Sequence, residues 1–181
     1  MGIFYTYNFI QHINAVYSGS HIVTKLDNLI PFIPQFVWPY SLGFLLILAV
    51  ALLEDAIYIR FLLSFIVSSL LSLAIFYYFP NEYTMRPVVL ESGYTYDLLR
   101  FVYRYDLPYN TLPSLHVLYA MLVALAFHHD KSQSELRTAA VWLVCSLVAI
   151  STLFVKQHFV MDVLGAIAIA FFANVVAYKR D

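Results

Sequence analysis

Charge is scarce in this chain of 181 residues: Asp, Glu, Lys and Arg make up 12% of it and hydrophobic residues 62%, against roughly 25% and 45–50% in an ordinary soluble domain. That balance excludes a soluble globular fold and points to an integral membrane protein. A positive surplus is also missing. The formal net charge is −1, so there is no basic field to hold nucleic acid. Cysteine is nearly absent: the single Cys145 lies in an apolar stretch, which excludes an intramolecular disulfide framework and a thiolate metal site and leaves a small core residue. The first cation is Lys25, so the N-terminal stretch lacks the positive region of a cleaved signal peptide, and targeting is expected from the spans themselves.

What the chain has is long apolar runs. Phe36–Leu53, Ala56–Phe79, Leu112–Phe127, Thr138–Val155 and Phe159–Tyr178 reach or approach the roughly 17–25 helical residues that a hydrocarbon core requires. The expected fold class is all-α: an integral membrane helical bundle of five transmembrane helices, or six if the N-terminal segment also crosses. Met1–Tyr17 is aromatic and aliphatic but broken by Asn8, Gln11, His12 and Asn14, which suits an interfacial helix, and Ser18-Gly19-Ser20 ends it. Residues 1–35 are thus read as an N-terminal interfacial segment, 36–178 as the transmembrane domain and 179–181 as a tail. Pro113 suits the first turn of the third span. His128-His129-Asp130 reads as a solvated turn rather than a metal site, and His12 and His21 are given no role. Gly165, Ala166, Ala170 and Ala173 give the last helix a small face for close packing.

Alternating spans place three polar regions on one membrane face: residues 80–112, the start of the third helix, and Lys156–Asp162. Within the last region His158 and Asp162 lie about 40° apart around a helix axis. The carboxylate can accept from one imidazole nitrogen and leave the other to attack. A carboxylate at the bilayer centre costs about 2.5–3.5 kcal/mol and less near a helix end, so Asp162 needs such a partner. Cations divide evenly between the faces, with Arg60, Lys131, Arg137, Lys179 and Arg180 opposite the site and Lys25, Arg86, Arg100, Arg104 and Lys156 beside it. Setting Arg86 and Lys156 aside as ligand-binding residues puts the opposite face in the cytoplasm and the site on the extracytoplasmic face.

Three motifs occupy that face: Met85-Arg86-Pro87, then Asn110-Thr111-Leu112-Pro113-Ser114-Leu115-His116, then Ser151 through Lys156, Gln157 and His158 to Asp162. In order and spacing they resemble the type 2 phosphatidic acid phosphatase superfamily. These are integral lipid phosphatases and phosphotransferases sharing a helical core with vanadium haloperoxidases, with signatures KxxxxxxRP, PSGH and SRxxxxxHxxxD. The resemblance covers roughly Phe36 to Tyr178. It departs at Phe79, Leu115 and Thr152, where the signatures carry lysine, glycine and arginine. The form NxxPSLH and a lysine two residues before the last histidine look more like the branch containing inositol phosphorylceramide synthases.

The resemblance implies a metal-independent enzyme with no cofactor. In it His158 attacks phosphorus to form a phosphohistidine, Asp162 fixes its tautomer, and His116 protonates the departing alkoxide. Ser114 and Leu115 would hold phosphate at a helix start, and Arg86 would grip it with a planar fork. Lys156, or else Arg100 or Arg104, would replace the missing cations. The expected function is hydrolysis of a lipid or polyprenol phosphomonoester or pyrophosphate, and the alternative is head-group phosphotransfer to a lipid or polyprenol alcohol. Its partners would be a phospholipid or polyprenyl phosphate and the bilayer. Rival readings are a metal-dependent hydrolase liganded by His116, His158 and Asp162, a transporter using Asp162 as a proton relay, and a non-catalytic lipid-binding member.

Overall fold

The structure, a computed structural model, describes residues 2–14 and 22–179. Tyr17, the Ser18-Gly19-Ser20 break, His21 and Arg180 lie outside the described residues, as does the side chain of His12. The helices are α1 (Gly2–Asn14), α2 (Lys25–Leu29), α3 (Val37–Leu46), α4 (Asp55–Tyr78), α5 (Tyr94–Tyr105), α6 (Leu115–His129), α7 (Glu135–Phe154) and α8 (Val160–Tyr178), with 3₁₀ turns flanking α3 at Pro34–Phe36 and Ile47–Leu52. No strand occurs among the described residues, so the all-α expectation holds. Pro34–Leu52, α4, α7 and α8 are long and apolar enough to cross a bilayer, as an integral membrane protein requires.

The third apolar run differs from its expectation. α6 has 15 residues and is the shorter apolar helix of the set, rising about 22 Å at 1.5 Å per residue. It starts late because Ser114 caps it, its Oγ accepting the Val117 N–H at 3.4 Å, so Pro113 precedes the helix instead of opening it. The segment leading in is irregular yet buried at Asn110, Thr111 and Ser114. Irregular backbone at membrane depth is tolerated only where protein satisfies its polar groups. Asn81 does so, with Oδ1 accepting the Thr111 N–H at 2.6 Å, the Thr111 hydroxyl at 3.0 Å and the Leu112 N–H at 3.1 Å.

α6 is apolar on every side, as a central helix must be. Its residues from Val117 to Phe127 supply most of the main core, enclosed by α4, α7 and α8. Close approach to α8 uses the expected small face, where Ala166, Ala170 and Ala173 are inaccessible. A second cluster of Val37, Tyr40, Leu99, Val102 and Val155 seats the amphipathic α5 against α3.

The N-terminal helix corrects one detail of its interfacial reading. α1 has 13 residues, about 20 Å of rise and short of a roughly 30 Å core. Two of its polar residues are turned into protein rather than water. Gln11 and Asn14 are buried, Gln11 donating to the Leu107 carbonyl at 3.2 Å and Asn14 to the Phe76 carbonyl at 2.8 Å and to Asn110. The α6–α7 turn is likewise not wholly solvated, because Asp130 is buried and accepts from Glu54, Ser132 and Gln133.

Candidate active site

α7 ends in a tight reversal. Lys156 takes the left-handed conformation at φ 54°, and the N–H groups of Gln157 and His158 both donate to the Thr152 carbonyl, at 3.0 and 3.2 Å. The turn delivers His158 just ahead of α8, whose first turn carries Asp162. The Asp162 carboxylate accepts the Phe159 N–H at 2.9 Å, closing the helix start, and lies 3.3 Å from His158 Nδ1. A second acceptor, the Thr111 carbonyl, is 3.1 Å from the same nitrogen. Two acceptors facing Nδ1 place its proton there and leave the lone pair on Nε2. Nε2 makes no hydrogen bond among the described residues, and the ring keeps 7% exposure. Asn81, by fixing Thr111, therefore acts on His158 at one remove.

His116 faces this ring from the start of α6, with 6.2 Å between ring centroids. The two helix starts are tied by the Ser114 N–H, which donates to the Asp162 carbonyl at 3.1 Å. Ser114 thus spends its N–H on α8 and its Oγ lone pair on the cap. The Leu115 N–H belongs to the first turn, ahead of the earliest intrahelical bond, from Leu118 to Ser114, where the dipole favours an anion. On the other side of His116, Nδ1 is 3.3 Å from the Tyr40 hydroxyl, which donates to Asp106 at 2.6 Å. Gln157 donates to both, at 3.4 and 3.3 Å.

Arg86 is held by the segment after α4. Its guanidinium lies 4.9 Å over the Tyr103 ring and donates from Nη1 to the Tyr103 carbonyl at 3.3 Å, while the Tyr103 hydroxyl donates to the Val155 carbonyl at 2.6 Å. Arg86 Nε is buried and has no hydrogen-bond partner among the described residues. Burial lowers its proton affinity, the charge of Asp106 works the other way, and a guanidinium stays protonated at neutral pH.

The other expected cations are placed elsewhere. Lys156 Nζ donates to the Ile30 carbonyl at 2.6 Å and the Asp27 carbonyl at 3.3 Å, with burial lowering its proton affinity against the pull of Asp27. Asp27 in turn accepts the Val160 N–H at 2.8 Å. The pair straps α2 to the turn that carries His158. Arg100 is occupied by Asp97 and the Glu91 carbonyl, and Arg104 is exposed. Thr152 is buried with its hydroxyl on the Ala149 carbonyl, and Phe79 is exposed.

Sequence reasoning did not find Tyr40, Asn81, Asp106, Gln157 or Asp27. Only Gln157, adjacent to His158, carried a positional hint; the others reach the site through contacts of 30 to 133 residues' separation. No group of three His, Cys, Asp or Glu side chains suited to a metal ion occurs among the described residues. The arrangement offers an imidazole lone pair of fixed direction, a carboxylate behind it, a second imidazole across from it and a guanidinium with an open N–H. Those are the parts of phosphoryl transfer through a histidine.

Comparison with known proteins identifies the family. The family model described as the PAP2 superfamily matches residues 35–176. No curated protein and no solved structure matches the chain. The match spans most of the described fold and contains every motif above, so this chain belongs to the PAP2 superfamily, the type 2 phosphatidic acid phosphatases and their phosphotransferase relatives.

Proposed function

We propose that the protein hydrolyses a phosphomonoester or pyrophosphate of a lipid or polyprenol through a phosphohistidine on His158. The carrying observation is the pinning of His158 Nδ1 between the Thr111 carbonyl and Asp162, which leaves Nε2 without a hydrogen bond among the described residues in a ring whose centroid is 6.2 Å from that of His116. Nε2 donates its electron pair to phosphorus as the ester P–O bond breaks, and the departing alkoxide takes a proton from His116. Asp162 stabilises the cationic ring while phosphorus is attached. Water then attacks phosphorus, His116 accepts its proton, and the P–N bond returns its electrons to His158. Arg86 and the α6 start, with the Leu115 N–H and the Ser114 hydroxyl, would hold the phosphate oxygens. Lys156 stays out of that cradle in our reading because its ammonium is given to α2.

A second reading is favoured by the shortage of cations. Of the cations expected at the site, Lys156 is given to the Ile30 and Asp27 carbonyls, Arg100 to Asp97 and the Glu91 carbonyl, and Arg104 is exposed. That leaves Arg86 as the cation with a buried N–H unpaired among the described residues, while Asp106 and Asp162 stand near the histidines. A phosphodiester carries one negative charge and demands less positive charge than a monoester dianion. That favours transfer of a phosphorylated head group to a lipid or polyprenol alcohol, by the same intermediate. Lys156 is buried and internally bonded, so the remaining cations still support an extracytoplasmic site.

The test is release of phosphate by detergent-purified protein from phosphatidic acid, lysophosphatidic acid, phosphatidylglycerol phosphate and polyprenyl pyrophosphate, with chelator present. Release that resists chelator, yields to vanadate and is lost in His158→Ala supports hydrolysis. No release from any of them, with turnover appearing once a phosphodiester lipid and an alcohol acceptor are supplied, supports transfer. Activity abolished by chelator and restored by a divalent cation would overturn the metal-independent mechanism.

A further inference from the structure

We propose that Tyr40 and Asp106 form a relay that holds His116 with a proton on Nδ1 and so directs Nε2 to the reacting phosphate. The inference rests on the phosphohistidine reading for its catalytic meaning, though its geometry stands without it. A tyrosine hydroxyl has one proton. In this structure that proton goes to Asp106, because an ionised carboxylate has none to give and its Oδ2 is 2.6 Å away. The Tyr40 oxygen can therefore only accept from His116, whose Nδ1 is 3.3 Å distant. Gln157 steadies the arrangement by donating to both the Tyr40 oxygen and Asp106. Its amide orientation follows from those partners, since the opposite orientation would set two acceptors against each other.

The layout repeats that of the other histidine with different parts. His158 has a carbonyl and a carboxylate on Nδ1; His116 has a phenol backed by a carboxylate. The ring of Tyr40 also lies against that of His116 at 4.4 Å between centroids, which fixes the imidazole plane as well as its tautomer. Groups facing His116 from the surrounding elements are Tyr40 on α3, Asp106 after α5, and His158 before α8. Arg86 acts on Tyr40 and Asp106 from the segment after α4, and Tyr7 acts on Asp106 from α1. To act as the acid, Nε2 first takes the proton of the bound monoester's P–OH, so the ring is briefly doubly protonated. It gives that proton to the leaving oxygen as the ester P–O bond breaks and returns to the neutral Nδ1–H form. The Tyr40 proton stays on Tyr40 throughout. Tyr40 and Asp106 are thus positioning residues, acting through His116.

Two measurements on the full chain in detergent micelles test this. Histidine ¹⁵N NMR should show His116 in the Nδ1–H form in the wild type, and Tyr40→Phe and Asp106→Asn should move its nitrogen shifts towards the Nε2–H form or a mixture. Unchanged His116 shifts in both variants would overturn the relay, whatever the enzyme's substrate. The second measurement compares dioctanoyl phosphatidic acid with para-nitrophenyl phosphate, whose leaving group needs no proton. Each variant should lose roughly ten- to a hundred-fold in kcat on the lipid, with KM within about twofold, and far less on the aryl ester, since a general acid supplies about 10²–10⁴-fold. Equal losses on both substrates would mark a merely structural role. If the wild type turns over neither substrate nor any lipid of the phosphate-release panel, the hydrolase reading fails, and the NMR shifts still decide the relay. Should Asp106→Asn fail to fold by thermal unfolding, Tyr40→Phe carries the test, because it keeps the ring packed on His116.

Discussion

Replacing Asp162 by asparagine isolates the charge behind His158. The Asp162 carboxylate does two jobs through Oδ2: it accepts the Phe159 N–H at 2.9 Å and faces His158 Nδ1 at 3.3 Å. Asparagine keeps an amide oxygen for the Phe159 N–H, so the start of α8 should survive. What it removes is the negative charge that stabilises the cationic imidazole of the phosphohistidine. A hydrogen bond to a charged group contributes about 1.5–3 kcal/mol, which at 1.36 kcal/mol per decade is roughly a 10- to 150-fold fall in kcat. The fall should stop short of the roughly 10⁴-fold known for an aspartate that alone orients a catalytic histidine, because the Thr111 carbonyl at 3.1 Å still holds Nδ1–H in this site. KM should move by less than about threefold, as the carboxylate stabilises the intermediate more than the bound substrate. The assay is single-substrate kinetics on whichever lipid the panel identifies, with thermal unfolding of the same preparation. A variant with wild-type kcat and an unchanged melting temperature would refute the role given to this charge. Asp162→Ala should in addition destabilise by about 1–3 kcal/mol, since it strands the buried Phe159 N–H.

Further outcomes follow from the same geometry. Arg86→Lys keeps the charge but loses the fork stacked on Tyr103, so kcat/KM should fall by about 1.5–3 kcal/mol equivalent while the fold holds; steady-state kinetics check it. Lys156→Ala should lower the melting temperature by removing about 1.5–3 kcal/mol of charge-assisted bonding to the Ile30 and Asp27 carbonyls, with KM unchanged; a large rise in KM at constant stability would return Lys156 to the phosphate. Asp130 carries a pH-dependent share of stability. Burial pushes its carboxyl up, but bonds from the Ser132 hydroxyl, the backbone of Glu54 and Ser132, and Gln133 hold it below the ordinary value. A folded-state value below the unfolded one, about 3.9, gives stability that is present above pH 4 and lost as pH falls through the folded value. Melting curves from pH 6 to pH 3 should therefore fall more steeply for wild type than for Asp130→Asn.

Hydropathy located the helices where lipid-facing surface decides the matter. α4 and α8 run over Asp55–Tyr78 and Val160–Tyr178, each within one residue of the apolar stretch that foretold it. α7 begins at Glu135, ahead of the expected Thr138, because Ser134 accepts the Arg137 N–H at 3.3 Å and starts the helix among charged residues that carry no hydropathy signal. α6 starts late for the complementary reason: Leu112 and Pro113 are apolar, yet the chain there is held irregular by Asn81. A single asparagine 30 residues away leaves no mark in a local pattern.

The candidate site divides along the same line. His158 with Asp162 was legible as a pair four residues apart, but not as the helix face that spacing suggested: His158 lies in the reversal before α8, and the Asp162 carboxylate reaches back over the helix start to meet it. His116 was legible because a helix start is signalled by Pro113 and Ser114. Tyr40 and Asp106 were not legible. Tyr40 is one aromatic among 15 tyrosines, and nothing local distinguishes it until the fold brings α3 against α6. Lys156 shows the opposite failure, a cation in the right motif whose ammonium the tertiary structure gives to α2. Tertiary context outweighs spacing wherever a long side chain can choose between partners.

Rapid quench of the purified protein with phosphatidic acid, followed by peptide mass spectrometry under alkaline conditions that preserve phosphohistidine, examines the covalent step itself. A phosphoryl increment confined to the peptide bearing His158 and absent in His158→Ala is the expected result. Steady turnover of the same lipid with no adduct at any quench time, or with the adduct on another residue, would contradict nucleophilic catalysis by His158.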